Sequence, residues 1–132
     1  MDRKTLIRQY KETPRPMGVF RVHNTADDRS LVGTSRDLPS MLNRQRFQLD
    51  HGSHPNRALQ EDWNRLGQEA FVLEVLDTLD PADRSESDLV DDLAVLEQLW
   101  LDKLLPYGAR GYNTERKQPL PHDLPTSRED GA

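Results

Sequence analysis

Two short runs of strand-forming residues, Gly18 to His23 and Ser30 to Gly33, have the turn cluster Asn24-Thr25-Ala26-Asp27-Asp28 between them. Period-two alternation on either side of such a cluster is the pattern of a β-hairpin. In the first run Val19, Arg21 and His23 alternate with Phe20 and Val22, so the two faces of the strand carry different side chains.

The elements that follow are punctuated clearly. Asp37 can cap a helix whose first turn holds Pro39, where a missing amide hydrogen does no harm. Leu38, Met41, Leu42, Gln45 and Leu49 then fall along one face, and Gly52 closes the helix. Pro55 opens a second helix with Leu59, Trp63 and Leu66 on one side, stopped by Gly67. Phe71 to Leu76 is rich in branched and aromatic residues and reads as a strand. The acidic loop Asp80 to Asp88 is expected to cap the next helix at Ser87. That helix, Leu89 to Leu105, has the stripe Leu93, Leu96, Trp100 and Leu104 and ends at Pro106. Gly108 to Asn113 reads as a loop or short strand.

The two ends differ from this middle. Asp2 to Thr13 is helix-compatible, with Leu6 and Tyr10 at i, i+4, and is broken by Thr13-Pro14-Arg15-Pro16. The end of the chain, with Pro119, Pro121 and Pro125, lacks the apolar content to pack. The expected organisation is an N-terminal helical extension over 1–16, one domain over 17–114 and a disordered tail over 115–132. The domain is an α/β fold, a small and mostly antiparallel three-stranded sheet flanked by helices.

Composition narrows the chemistry. At 132 residues the chain suits one domain with a modest core. It has no cysteine, which excludes disulfides, zinc-thiolate sites and a thiol nucleophile, so any metal would need oxygen or imidazole ligands. No apolar leader and no stretch long enough to span a bilayer are present, and the expectation is a cytoplasmic protein with no membrane partner. The net charge of -5 is uneven: residues 1–70 carry +3 and residues 71–132 carry -8. A phosphate-binding surface would therefore lie on the first part, where Arg36, Arg44, Arg46, Arg57 and Arg65 could gather.

Taken in order, Gly18-Val19-Phe20, Leu31-Val32-Gly33-Thr34-Ser35, Met41, Glu97 and Gly111-Tyr112-Asn113 resemble the GIY-YIG nuclease superfamily. Members of that family have a first strand ending in glycine, a bulky residue and tyrosine, and a second with tyrosine, a bulky residue and glycine. An arginine on the next helix and a metal-binding glutamate on a later one follow. Gly52-Ser53-His54 is similar to the glycine and histidine between the middle helices of phage homing endonucleases of the family. The match covers about three quarters of the chain, and its strength lies in the ordered set.

What the resemblance implies is a divergent member. Cutting a phosphodiester needs a base or positioned water, a cation for the transition-state charge and a metal to polarise the phosphoryl oxygen. The first family tyrosine is Phe20 here, the second is Leu31, the helix arginine is Met41, and Gln45 stands where histidine is frequent. Phe for Tyr, Leu for Tyr and Met for Arg keep bulk and remove a polar tip, so packing can persist while chemistry is lost. Gly18, Gly33 and Asn113 are expected to serve structure. Glu97 is either a ligand for Mg²⁺ or Mn²⁺ or the partner of an arginine or solvent at the stripe edge. His54 either donates to phosphate or shuttles a proton, or sits in a polar connection. Arg44, one turn beyond Met41, could stand in for the missing cation. Phe47 points away from the stripe, either exposed or under the N-terminal helix.

Three functions follow. The chain is a catalytically degenerate nuclease fold that binds DNA or another nucleic acid; or an active metal-dependent endonuclease using Glu97, His54 and Arg44; or a module for a protein partner, using its acidic second half.

Overall fold

The alternating run folds as β1 (Met17–Asn24), which turns into β2 (Arg29–Ser35). In the computed structural model, which describes residues 16–81 and 84–114, β1 is the middle strand of an antiparallel sheet of order β2-β1-β3. β3 is Phe71–Leu79. Helices α1 (Leu38–Asp50) and α2 (Arg57–Leu66) lie between β2 and β3 in the chain, and α3 (Glu86–Leu104) follows β3. The expected α/β architecture is present; the N-terminal helix and the tail fall outside the described residues.

Phe20 pairs with Gly33 across the hairpin, and Val22 with Leu31. Both glycines are required by close approach. A Cβ at Gly18, whose φ is 155°, would stand 2.0 Å from the Asp77 carbonyl oxygen on β3. A Cβ at Gly33 would meet the Phe20 ring at 2.9 Å. The first glycine therefore lets two strands come together and the second seats an aromatic ring, roles that need no catalysis.

The sheet is packed on both faces. Phe20 and Val22 join Leu38, Leu49, Leu59, Trp63 and Phe71 under α1 and α2. Val19 and Val32 join Leu101 under α3, with Leu76, Leu96, Trp100 and Leu104 around them. Alternate residues of β1 thus serve two separate cores, as the pleat dictates.

Caps set the helix limits. The Asp37 side chain accepts from the Ser40 amide and Asn56 from the Leu59 amide. At α3 the expected cap, Ser87, is corrected to Ser85, whose hydroxyl accepts from the Asp88 amide, and the helix starts at Glu86 rather than Leu89. The earlier start places Glu86 and Asp88 in the first turn, where the helix dipole favours acids, and Glu86 there pairs with Arg36. β3 also runs three residues past the expected Leu76, because residues 77–79 pair with the opposite end of β1. Among the described residues no helix is long and apolar enough to cross a membrane.

Candidate functional site

Phe20, Leu31 and Met41 share the core beneath α1 and α2, and Phe20 is only 4% exposed. A polar chain leads inward from Met41. The Gln45 side-chain amide donates to the Met41 sulfur at 3.4 Å, and its Oε1 accepts from His54 Nε2 at 2.6 Å. His54 Nδ1 accepts from the Asn56 amide at 3.0 Å, so the ring proton is assigned to Nε2 and the imidazole to one neutral tautomer. The His54 backbone amide donates to Gln60 Oε1 at 3.0 Å, and the Gln60 side chain donates on to the Leu49 carbonyl. His54 is 8% exposed, and both ring nitrogens are engaged.

Burial pushes the His54 pKa below its ordinary value, against the opposing effect of the Asn56 hydrogen bond. The unfolded chain then binds more protons than the folded one as the solution turns acid. The contribution is intact above about pH 6.5, the unfolded value, and is lost as pH falls below it. Stability measured by urea unfolding is therefore expected to decline between pH 7.5 and 5, by at most about 1.4 kcal/mol per pH unit for one proton. Carboxylates titrate near pH 4 in the unfolded chain and leave this window to histidine. His54→Gln should flatten the profile; an unchanged slope would assign the acid sensitivity elsewhere.

Asn113 holds the open edge of β2. Its Oδ1 accepts from the Val32 amide at 2.8 Å, and its Nδ2 donates to the Val32 carbonyl at 2.9 Å, so the side chain pairs as a strand residue would. The Tyr112 amide donates to the Ser30 carbonyl, Gly111 forms a parallel bridge with Ser30, and Asn56 Nδ2 donates to the Tyr112 carbonyl. The strap thereby ties the edge of β2 to the start of α2.

Beside it lies a polar cluster that the sequence reading did not identify. Asp62, 8% exposed, accepts from the Tyr112 hydroxyl at 2.6 Å, from Arg29 Nη1 at 2.9 Å and from Arg65 Nη2 at 2.9 Å. Asn24 Nδ2 donates to the Tyr112 oxygen at 3.0 Å, and the Arg29 guanidinium lies 4.3 Å from the Tyr112 ring centroid. Burial opposes ionisation of Asp62, but the hydroxyl and the two guanidinium groups outweigh it and hold the carboxyl below the usual range. Burial and the neighbouring carboxylate push the Tyr112 hydroxyl up. One signal was available: Asp62 falls between Leu59 and Leu66 on the apolar stripe of α2, where an acid needs a buried partner.

The remaining candidates are spread over the surface. Arg44 and Arg57 are exposed. Arg46 is exposed, donates to Gln68 at 3.3 Å and lies 5.8 Å from the Trp63 ring centroid. Arg36 makes a two-pronged pair with Glu86, while Arg65 bridges Asp27 and Asp62. Glu97 is half-buried and engaged, midway along α3. His54 and Glu97 thus sit in the layers on opposite faces of the sheet. Among the described residues no group of three or more His, Asp or Glu is placed to hold a metal ion.

The fold has counterparts among solved structures. The catalytic domain of the homing endonuclease I-TevI superposes with a TM-score of 0.61 at 23% identity, over 76% of this chain and 99% of that one. A glutamate-to-alanine mutant of the I-TevI domain, described as an intron endonuclease, gives 0.59 at 22% identity, over 74% and 92%. No protein-family model and no curated protein matches the chain. The likeness carries the fold, which is GIY-YIG-like as the resemblance implied.

Proposed function

We propose that this protein is a nuclease fold that no longer cuts phosphodiester bonds and binds nucleic acid. The observation that carries the reading is Phe20. At the place of the first family tyrosine its ring is buried against Gly33, with the partly buried Leu31 and Met41 packed against the same core. A hydroxyl base, a second hydroxyl and a guanidinium are thereby replaced by apolar contacts, and the groups that handle the proton and the developing charge are missing. His54 supports the same reading, since both nitrogens are committed to internal partners.

Glu97 is the residue that would hold Mg²⁺ or Mn²⁺. A single carboxylate fits such an ion only together with waters and substrate phosphate. When bound, the ion would polarise a phosphoryl oxygen. Among the described residues, the side chains clustered with Phe20 are apolar apart from Tyr112, whose hydroxyl is engaged by Asp62 and Asn24.

Binding would run along α1 and the start of α2, where Arg44, Arg46 and Arg57 are exposed. Arg36 can join them, because an exposed ion pair such as that with Glu86 is weak in water and yields readily to phosphate. Gel-shift titration of DNA at several salt concentrations is expected to show binding that weakens as salt rises. Replacing Arg44, Arg46 and Arg57 together with alanine should flatten the log-log salt slope by roughly 2 to 3 units, about 0.9 for each lost duplex phosphate contact. No complex even at low salt would reject the function, and an unchanged slope would reject this surface.

A further inference from the structure

We infer that Phe47 and His51, on the outer face of α1, form a platform on which an unpaired nucleobase stacks, so that the favoured ligand is single-stranded nucleic acid. The inference rests on the proposed nucleic-acid function and specifies its substrate class.

Phe47 is 60% exposed, unusual for a phenylalanine in the last turn of a helix that packs on the core. Helical geometry explains its direction: the buried residues of α1 are Leu38, Gln45 and Leu49, and position 47 falls on the opposite side. It is not an isolated apolar side chain. The His51 ring, one turn on, lies 4.0 Å from the Phe47 ring centroid with the planes inclined by 35°. His51 Nδ1 donates to the Phe47 carbonyl at 2.8 Å, which fixes the second ring against the first. The His51 ring is therefore held against Phe47 at the helix end before any ligand arrives, and that ring has little freedom left to lose on binding.

The surroundings select the occupant. Arg44 precedes Phe47 by three positions on the same side of α1, and Arg46 adds a second exposed cation on the helix. An exposed aromatic pair with flanking guanidinium groups matches a strand that offers a flat base and an adjacent phosphate. Duplex DNA offers the phosphates but keeps its base faces stacked internally, so it can engage the arginines and not the rings. An apolar protein segment would use the rings but gain nothing from Arg44.

The test uses the full chain and three fluorescein-labelled probes of equal length: a mixed-sequence single strand, its duplex, and a single-stranded backbone of abasic spacers. Phe47→Ala is expected to weaken the mixed-sequence strand by about ten-fold, within the range found for removal of one stacking aromatic, and to change the other two by less than about two-fold. Phe47→Trp should restore the single-strand affinity, since a larger ring stacks at least as well. Because the side chain is exposed, circular dichroism should confirm that both variants keep the wild-type helix content. Single-strand binding unaffected by Phe47→Ala, or equal losses on all three probes, would overturn the platform while leaving nucleic-acid binding intact. Failure of the wild-type protein to bind any probe would instead remove the function on which the platform rests.

Discussion

Asp62→Ala is expected to lower the unfolding free energy by about 3 to 5 kcal/mol, the range for removing one partner from a buried ionic cluster. The substitution strands groups on three elements: Arg29 on β2, the Tyr112 hydroxyl on the C-terminal strap and Arg65 on α2. These losses are unequal. The Arg65 side chain is 57% exposed and can return to water, so Arg65→Ala should cost far less than Asp62→Ala. The Arg29 side chain is 25% exposed and lies over the Tyr112 ring, so its charge would remain largely enclosed, left with the Gly111 carbonyl and that ring among the described residues. Equilibrium urea unfolding of the two variants beside wild type measures the contrast. The strap supplies a second readout, because Tyr112 and Asn113 carry the hydrogen bonds that close the edge of β2. Hydrogen exchange at the Val32 amide should accelerate in Asp62→Ala. A loss below about 1 kcal/mol would show that the cluster is a surface feature despite its burial.

The same cluster shows where the sequence stops being readable. α1 was legible because its instructions are local: Asp37 caps within three residues and the apolar stripe needs only helical spacing. The hairpin was legible because its turn formers sit between two alternating runs. At α3, Ser85 and Ser87 carry the same hydroxyl, and the choice fell to the acids that the earlier start brings into the first turn and to Arg36, which is distant in the chain. The end of β3 was likewise decided by pairing with Met17 to Val19, more than fifty residues earlier. Asp62, Arg29, Tyr112 and Asn24 come from four separate segments, and spacing within any one of them names none of the others. The site shows the same division. The places of Phe20, Leu31 and Met41 in the motif order could be read along the chain, whereas the engagement of His54 by Gln45, Asn56 and Gln60 required the fold.

Purified protein incubated with supercoiled plasmid and either Mg²⁺ or Mn²⁺ is expected to produce no nicking above a buffer control, and Glu97→Ala should be indistinguishable from wild type. Removing a single preorganised electrostatic group from an active site slows its reaction by about 10²- to 10³-fold. Phe20, Leu31 and Met41 each stand where the resemblance places such a group. Their effects do not multiply freely, because groups that act as a unit fail together, but even the smallest of these losses hides a slow cutter. Phe20→Tyr alone should not restore scission. Its ring is 4% exposed and seated on Gly33, so a new hydroxyl would enter an apolar environment, with a stability cost of about 1 to 3 kcal/mol unless it finds a partner. Lower stability without nicking is therefore the expected signature of that variant. Vigorous wild-type nicking that disappears in Glu97→Ala would mean that the protein has rebuilt a catalytic centre from other side chains. His54→Ala and Arg44→Ala would then identify whether those two supply the proton transfer and the positive charge.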